Sequence, residues 1–138
     1  MVRLRAPVPI VADERMLTPK DATRAARMEA CDRVNIKVSR AGGILPSIKI
    51  AAVAQVAGQR PFAGSNLELG LGIMASAHLF VALSDMPLAT ELVGPLLLTE
   101  DILIQPVQYD KGKRIVAEQP GFGVEPDRDL INKYASIV

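Results

Sequence analysis

Two stretches decide the reading of this chain: V-A-D-E at 11–14 and V-N-I-K at 34–37. Each is a short apolar strand that ends in a charge of a kind suited to burial, and each is followed by a helical pattern. An Asp and a Lys at the carboxyl ends of successive strands is how parallel α/β barrels assemble active sites, because those ends point to one common rim. Two further segments repeat the arrangement, G-S-N-L-E ending at Glu68 and L-A-T-E ending at Glu91. The chain therefore reads as four βα units that share one chemical rim.

The punctuation between these stretches supports that reading. The first strand is expected over Pro9 to Glu14, followed by T-P-K-D at 18–21. There Thr18 can cap a helix, Pro19 fits its first turn and Asp21 can close a capping box. The helix is expected to run to about Glu29, with Ala22, Ala25, Ala26 and Ala30 forming a flat face for close packing on a sheet. The second strand is predicted over Arg33 to Val38. A helix follows Gly42 and Gly43, with Leu45, Ile48, Ala52 and Val56 as its apolar stripe and Gly58 at its end. The third strand is predicted over Pro61 to Asn66, a mostly apolar helix over Gly70 to Leu83, and a fourth strand over Leu88 to Leu92.

After Gly94 the rhythm changes. Alternating stretches at Val107 to Tyr109 and Arg114 to Ala117 flank D-K-G-K, which predicts a β-hairpin. A last helix is expected near P-D-R-D at 126–129, with Pro126 in its first turn. The fold class expected is thus α/β, the C-terminal half of a TIM-type barrel plus a hairpin and helix. Residues 1–94 form the half-barrel and residues 95–138 an extension packed outside it.

Composition narrows the classes. The 138 residues suit one domain, and 49% apolar content with only 4% aromatic favours layered strands and helices over an antiparallel sandwich. A net charge of +1 without a Lys/Arg run lacks the footprint of nucleic-acid binding. The longest apolar stretch, Ile73 to Leu83, is too short to span a bilayer, and Arg3 and Arg5 lead into Pro7 and Pro9 instead of a secretory pattern. A lone cysteine, Cys31, cannot form an internal disulfide and reads as an inert core residue, so a cytoplasmic location is expected. One His and one Cys exclude most zinc and Cys-His designs, and His78, in the middle of a helix, reads as a packing residue.

A complete barrel needs about 250 residues, so four units amount to about half of one. An open parallel sheet leaves backbone groups unpaired at both edges, so a partner is expected. Either a second copy closes the ring or a complementing N-terminal segment does.

The motifs V-A-D-E, R-V-N-I-K-V-S-R-A-G-G, G-S-N-L-E-L-G, A-S-A-H-L-F, A-T-E-L-V-G-P-L-L-L-T-E-D-I and P-G-F-G-V together resemble the muconate cycloisomerase branch of the enolase superfamily, in its C-terminal portion. That resemblance implies a divalent-metal-dependent isomerase working through a metal-stabilised enolate on a small carboxylate substrate. It implies Asp13 as a carboxylate ligand to Mg²⁺ or Mn²⁺, with Glu14 a second-shell or weak additional ligand. It implies for Lys37 either proton exchange at the carbon next to the substrate carboxylate, as in related epimerases, or action mainly through its charge. Desolvation and a nearby cation are expected to lower the Lys37 pKa. Asn35 is implied to hydrogen-bond into the metal or substrate shell, and Glu68 and Glu91 to orient substrate or lysine. Other members suggest an epimerase, racemase or dehydratase as the second reading, and a non-catalytic self-associating fragment as the third.

The resemblance also implies features these residues lack. The two preceding metal carboxylates, a second-strand K-x-K pair and the capping domain are absent, so the isolated chain is expected to be inactive. Arg15 stands where the family often has Ser. Blander readings accompany each site residue: Asp13 also fits a strand-end cap, Lys37 a lysine reaching out to solvent, and Glu68 a favourable charge at a helix start.

Overall fold

The computed structural model describes residues 3–84, 86, 90–116 and 118–135. Three parallel strands form its centre in the order β1-β2-β3, with β1 at Val11–Ala12, β2 at Arg33–Lys37 and β3 at Arg60–Gly64. Val11 pairs with Arg33, and β2 runs in register with β3 from Arg33 beside Arg60 to Lys37 beside Gly64. Helix α1 (Pro19–Arg27) joins the first two strands, and α2 (Val38–Ala41) and α3 (Ile44–Val56) join the second to the third. Helix α4 (Gly70–Ala82) follows β3. Parallel strands joined by helices make this an α/β fold, as expected.

The middle strand, R-V-N-I-K, alternates polar and apolar residues, yet both of its faces are buried. Val34 and Ile36 are fully buried against the helices, while Asn35 and Lys37 on the opposite face are 4% and 8% exposed. Helix α1 begins as its sequence dictates: the Thr18 hydroxyl accepts from the Asp21 amide, and the Asp21 carboxylate accepts from the Thr18 amide. Its small residues Ala22 and Ala25 are buried in the main core. Replacing Thr18 by Ala removes one half of this capping box, and a loss of about 1 kcal/mol is expected from urea unfolding midpoints.

Several elements differ from expectation. The first strand is only two residues long, because Asp13 begins a turn closed by the Met16 amide on the Asp13 carbonyl. The second strand stops at Lys37, where the chain turns at once into α2, and Gly42 ends that helix at φ +89°. In α3 the buried residues are Ser47, Ile50, Ala51 and Ala54, while Leu45 and Val56 are 71% and 92% exposed. The stripe of Leu45, Ile48, Ala52 and Val56 therefore faces out. A helix that is apolar on most sides carries no directional signal, and its buried face combines Ile50 with the small residues Ser47, Ala51 and Ala54.

Residues 87–89 lie outside the described residues, so the predicted strand at Leu88 to Leu92 is visible only in its last part. There Glu91 donates its amide to the Ala63 carbonyl at 2.8 Å, and the Ser65 hydroxyl donates to the Glu91 carbonyl at 2.6 Å. The chain thus passes beside the end of β3, but residues 90–92 are not a strand. A 3-10 helix at Gly94–Leu97 follows.

The hairpin forms as β4 (Tyr109–Asp110) against β5 (Lys113–Arg114), shorter than predicted, with Ala117 outside the described residues. Lys111 and Gly112 both take positive φ, the signature of a tight hairpin turn. Helix α5 spans Arg128–Tyr134. Its cap is Asp127, which accepts from the Asp129 and Leu130 amides, so Pro126 precedes the helix and is not in its first turn.

The extension packs on α4: Leu103 and Val107 bury Met74, and Phe122 sits against His78, whose Nε2 donates to the Phe122 carbonyl at 3.1 Å. His78 is a packing residue, as its mid-helix place predicts. Cys31 is 2% exposed, and burial pushes its thiol pKa up. No described helix is long and apolar enough to cross a membrane.

Candidate functional site

The carboxyl ends of β1 and β2 lie side by side because the two strands are parallel and in register, and the charges that end them meet there. Asn35 Nδ2 donates to Asp13 Oδ1 at 3.0 Å, and Lys37 Nζ lies 3.0 Å from the same oxygen. Lys37 also donates to Glu14 Oε1 at 2.5 Å. Four sequence-predicted residues, Asp13, Glu14, Asn35 and Lys37, therefore form one connected cluster.

The cluster is wet at the acids and dry at the base. The Lys37 side chain is 9% exposed, against 45% for Asp13 and 57% for Glu14. Asn35 is packed so closely against β3 that a Cβ on Gly64 would fall 2.1 Å from its Oδ1, which explains the glycine. That Oδ1 is buried and has no hydrogen-bond partner among the described residues.

Electrostatics hold the cluster charged. The hydrogen bond from Lys37 is the largest cause lowering the Glu14 pKa, with Arg40 adding to it. Reciprocally, the Glu14 bond and then Asp13 raise the Lys37 pKa against the opposing effect of burial. Two carboxylates thus outweigh desolvation at Lys37.

A pH dependence follows. Glu14, lowered on folding, stabilises the fold above its unfolded pKa of about 4.3, and that contribution disappears as pH falls through the lower folded value. Lys37, raised on folding, stabilises below about 10.4 and loses its contribution as pH rises through the higher folded value. Thermal melts are expected to plateau between about pH 5 and pH 10. The deficit of a Glu14→Gln variant should be fully present on that plateau and shrink in acid; a deficit unchanged down to about pH 2 would contradict this.

Glu68 belongs to a neighbouring group. Its Oε1 accepts from the Ser39 hydroxyl at 2.5 Å and its Oε2 from the Asn66 amide at 2.9 Å, so it ties the loop before α4 to the start of α2. Glu91 reaches the rim through its backbone, while its exposed carboxylate joins neither group among the described residues.

One member was missed from the sequence. Arg40 donates through Nη1 to Glu14 Oε2 at 2.5 Å and through Nη2 to the Glu14 carbonyl at 3.2 Å. The signal lay in K-V-S-R, since a helical turn starting at Lys37 places the residue three further on along the same face.

Residues 1–130 match the family described as enolase C-terminal domain-like. The chain belongs to that family. Among enolase C-terminal domain-like relatives, muconate cycloisomerase 1-1 of Acinetobacter lwoffii is 37% identical over 130 residues, covering 94% of this chain and 34% of that protein. The L-Ala-D/L-Glu epimerase of Clostridium acetobutylicum is 36% identical over 125 residues, covering 91% of this chain and 35% of that protein. The crystal structure of muconate cycloisomerase from Pseudomonas fluorescens superposes with a TM-score of 0.91 at 38% identity, covering 96% of this chain and 37% of that one. The chain spans about a third of the length of the curated relatives it matches. Its parallel sheet and helices are thus part of a TIM-type barrel, and its relatives are isomerases.

Members of the enolase superfamily generally use a divalent metal, and the donor chemistry here fits one in part. Among the described residues no group of three or more His, Cys, Asp and Glu could hold an ion. Yet Asp13 Oδ1 is held by Asn35 and Lys37, which leaves Oδ2 on a half-exposed carboxylate without a described partner. A hard oxygen fixed in this way suits Mg²⁺ or Mn²⁺ as one ligand of several.

Proposed function

We propose that this chain is the C-terminal part of a divalent-metal-dependent isomerase that acts on a small carboxylate, with muconate cycloisomerisation as the leading reaction. The single observation that carries this reading is the junction of Asp13 and Lys37 at one strand-end rim, 3.0 Å apart, in a chain of this family. In this reading residues 1–94 carry the rim, and residues 95–138 brace it from outside through α4. A complementing N-terminal segment, or a second copy, covers the open sheet edges. The lone, buried Cys31 agrees with a cytoplasmic setting.

Asp13 Oδ2 would hold Mg²⁺ or Mn²⁺, and the bound cation would supply positive charge to the substrate carboxylate as negative charge develops there. Lys37 presents a cationic Nζ from a nearly dry strand end, where a fixed charge acts more strongly than in water. In cycloisomerisation that charge stabilises the developing anion. Asn35 holds Asp13 in place, and we assign Glu68 and Glu91 to orienting the substrate or the lysine. Glu14, already paired with Lys37 and Arg40, serves as counter-ion to the lysine.

A second reading is an epimerase, in which Lys37 exchanges a proton with the carbon beside the carboxylate. The 36% identity to the L-Ala-D/L-Glu epimerase favours it specifically.

The test joins this chain to the remaining portion of the Acinetobacter lwoffii relative in place of that protein's own C-terminal third. Muconate consumption that requires Mg²⁺ or Mn²⁺ and stops on chelation is the expected result. Epimerisation of an L-Ala-Glu dipeptide without muconate turnover would favour the second reading, and a folded chimera inactive on both would refute the proposal.

A further inference from the structure

Arg40 binds Glu14 in a way that an ordinary surface ion pair does not. One nitrogen takes the carboxylate at 2.5 Å and another takes the main-chain carbonyl of the same residue at 3.2 Å. The clamp thus fixes both the side chain and the backbone of a turn that the Met16 amide closes on Asp13. Its anchor is short and defined, since α2 runs only from Val38 to Ala41 directly off β2.

The consequence concerns two neighbouring carboxylates. Glu14 has both oxygens committed to cations, Oε1 to Lys37 and Oε2 to Arg40. Asp13 has one oxygen committed and one without a described partner. A divalent ion arriving at this turn meets a free oxygen on Asp13, whereas to recruit Glu14 it must displace Arg40 or Lys37. Lys37 would then lose its closest counter-charge while nearly buried, which is costly.

We propose that Arg40 is a positioning residue that keeps Glu14 on Lys37 and off the cation, leaving Asp13 as the only ligand this turn contributes. The proposal rests on the reading of Asp13 as a cation ligand. It revises Glu14 from weak ligand to withheld ligand, and it predicts that removing Arg40 tightens cation binding chiefly by freeing a second carboxylate, beyond the relief of repulsion alone.

The test is Mn²⁺ titration of the chain, followed by water-proton relaxation, with circular dichroism melts to verify folding. Arg40→Ala is expected to lower the Mn²⁺ dissociation constant by about threefold or more, because carboxylate count tunes affinity at oxygen sites. Adding Glu14→Gln to Arg40→Ala should remove the gain, while Glu14→Gln alone should change the affinity far less, because a withheld carboxylate binds no ion; a general charge effect would weaken binding equally on both backgrounds. Arg40→Lys, which restores the charge, should stay closer to the wild-type value than Arg40→Ala. Should Arg40→Ala fail to fold, Arg40→Gln carries the same expectation with a smaller gain. Unchanged or weaker binding on loss of Arg40, or a gain that survives Glu14→Gln, overturns the proposal. An Asp13→Asn variant separates the two layers. If it leaves Mn²⁺ binding intact, the cation reading of Asp13 falls and the proposal with it; if it weakens binding while Arg40→Ala brings no gain, only the role of Arg40 falls.

Discussion

Gly94→Ala is expected to destabilise the fold by about 3 kcal/mol, at the upper end of what one added methyl group does in a packed site. The reason is the identity of the atoms in the way. A Cβ at Gly94 would lie 2.2 Å from the Glu68 carbonyl oxygen and 2.8 Å from the Leu67 carbonyl carbon. These are main-chain atoms, and Leu67 already sits at φ +61°, so no side chain can swing aside to relieve the contact. Gly94 begins the 3-10 helix that follows Glu91, so the same methyl group pushes apart the two rim segments that carry Glu68 and Glu91. Urea unfolding measures it directly. Gly58→Ala is the comparison: open space surrounds that position, but φ is +74°, so a loss of about 1 kcal/mol is expected from backbone conformation alone. Equal losses at the two positions would show that the contact of Gly94 with the Glu68 loop does not constrain the rim.

Lys37→Met is expected to separate chemistry from stability. In the chimeric enzyme it should lower kcat by about 10²–10⁴-fold, the range lost when a positioned acid, base or charge is removed. The melting temperature should fall only modestly, since the variant gives up the pairing with Asp13 and Glu14 but strands no charge in the core. Methionine matches the buried stem of lysine and needs no counter-charge. The partners tolerate the loss because Asp13 and Glu14 are half-exposed and Glu14 keeps Arg40. A variant with full activity would remove Lys37 from the reaction. A variant that no longer folds would instead identify the lysine as a structural counter-ion.

The outline of the fold was legible because strand ends and helix starts have local causes. The Thr18 capping box and the turn at Lys111–Gly112 are set by residues close in sequence, and the charges that close V-A-D-E and V-N-I-K mark the strand ends locally. What escaped depended on contacts distant in sequence or on competition between similar residues. The buried face of α3 could not be chosen among Ile, Leu, Val and Ala until packing against β2 and β3 turned Ile50, Ala51 and Ala54 inward. The two-residue length of β1 reflects a turn at Asp13, and the early end of β2 reflects α2 starting at Val38.

The same division holds at the rim. Asp13 and Lys37 were legible as strand-end charges on parallel neighbours and Asn35 through the family resemblance, and the structure brings them into contact. Arg40 was missed, although K-V-S-R places it one turn after Lys37, because its partner lies 26 residues away. The convergence on Lys37 was hidden for a related reason: desolvation can be guessed from an apolar strand, but two carboxylates meeting at one amine cannot.

The most direct measurement is a Mn²⁺ titration of the ¹⁵N-labelled chain, read as paramagnetic broadening of assigned amide resonances. Broadening centred on Ala12, Asp13 and Glu14 and extending to Asn35 and Lys37 is the predicted result, since it places the cation at the junction of β1 and β2. Broadening centred instead on the acidic residues of the extension, such as Glu100, Glu125 and Asp127, with the strand ends untouched, would contradict the account.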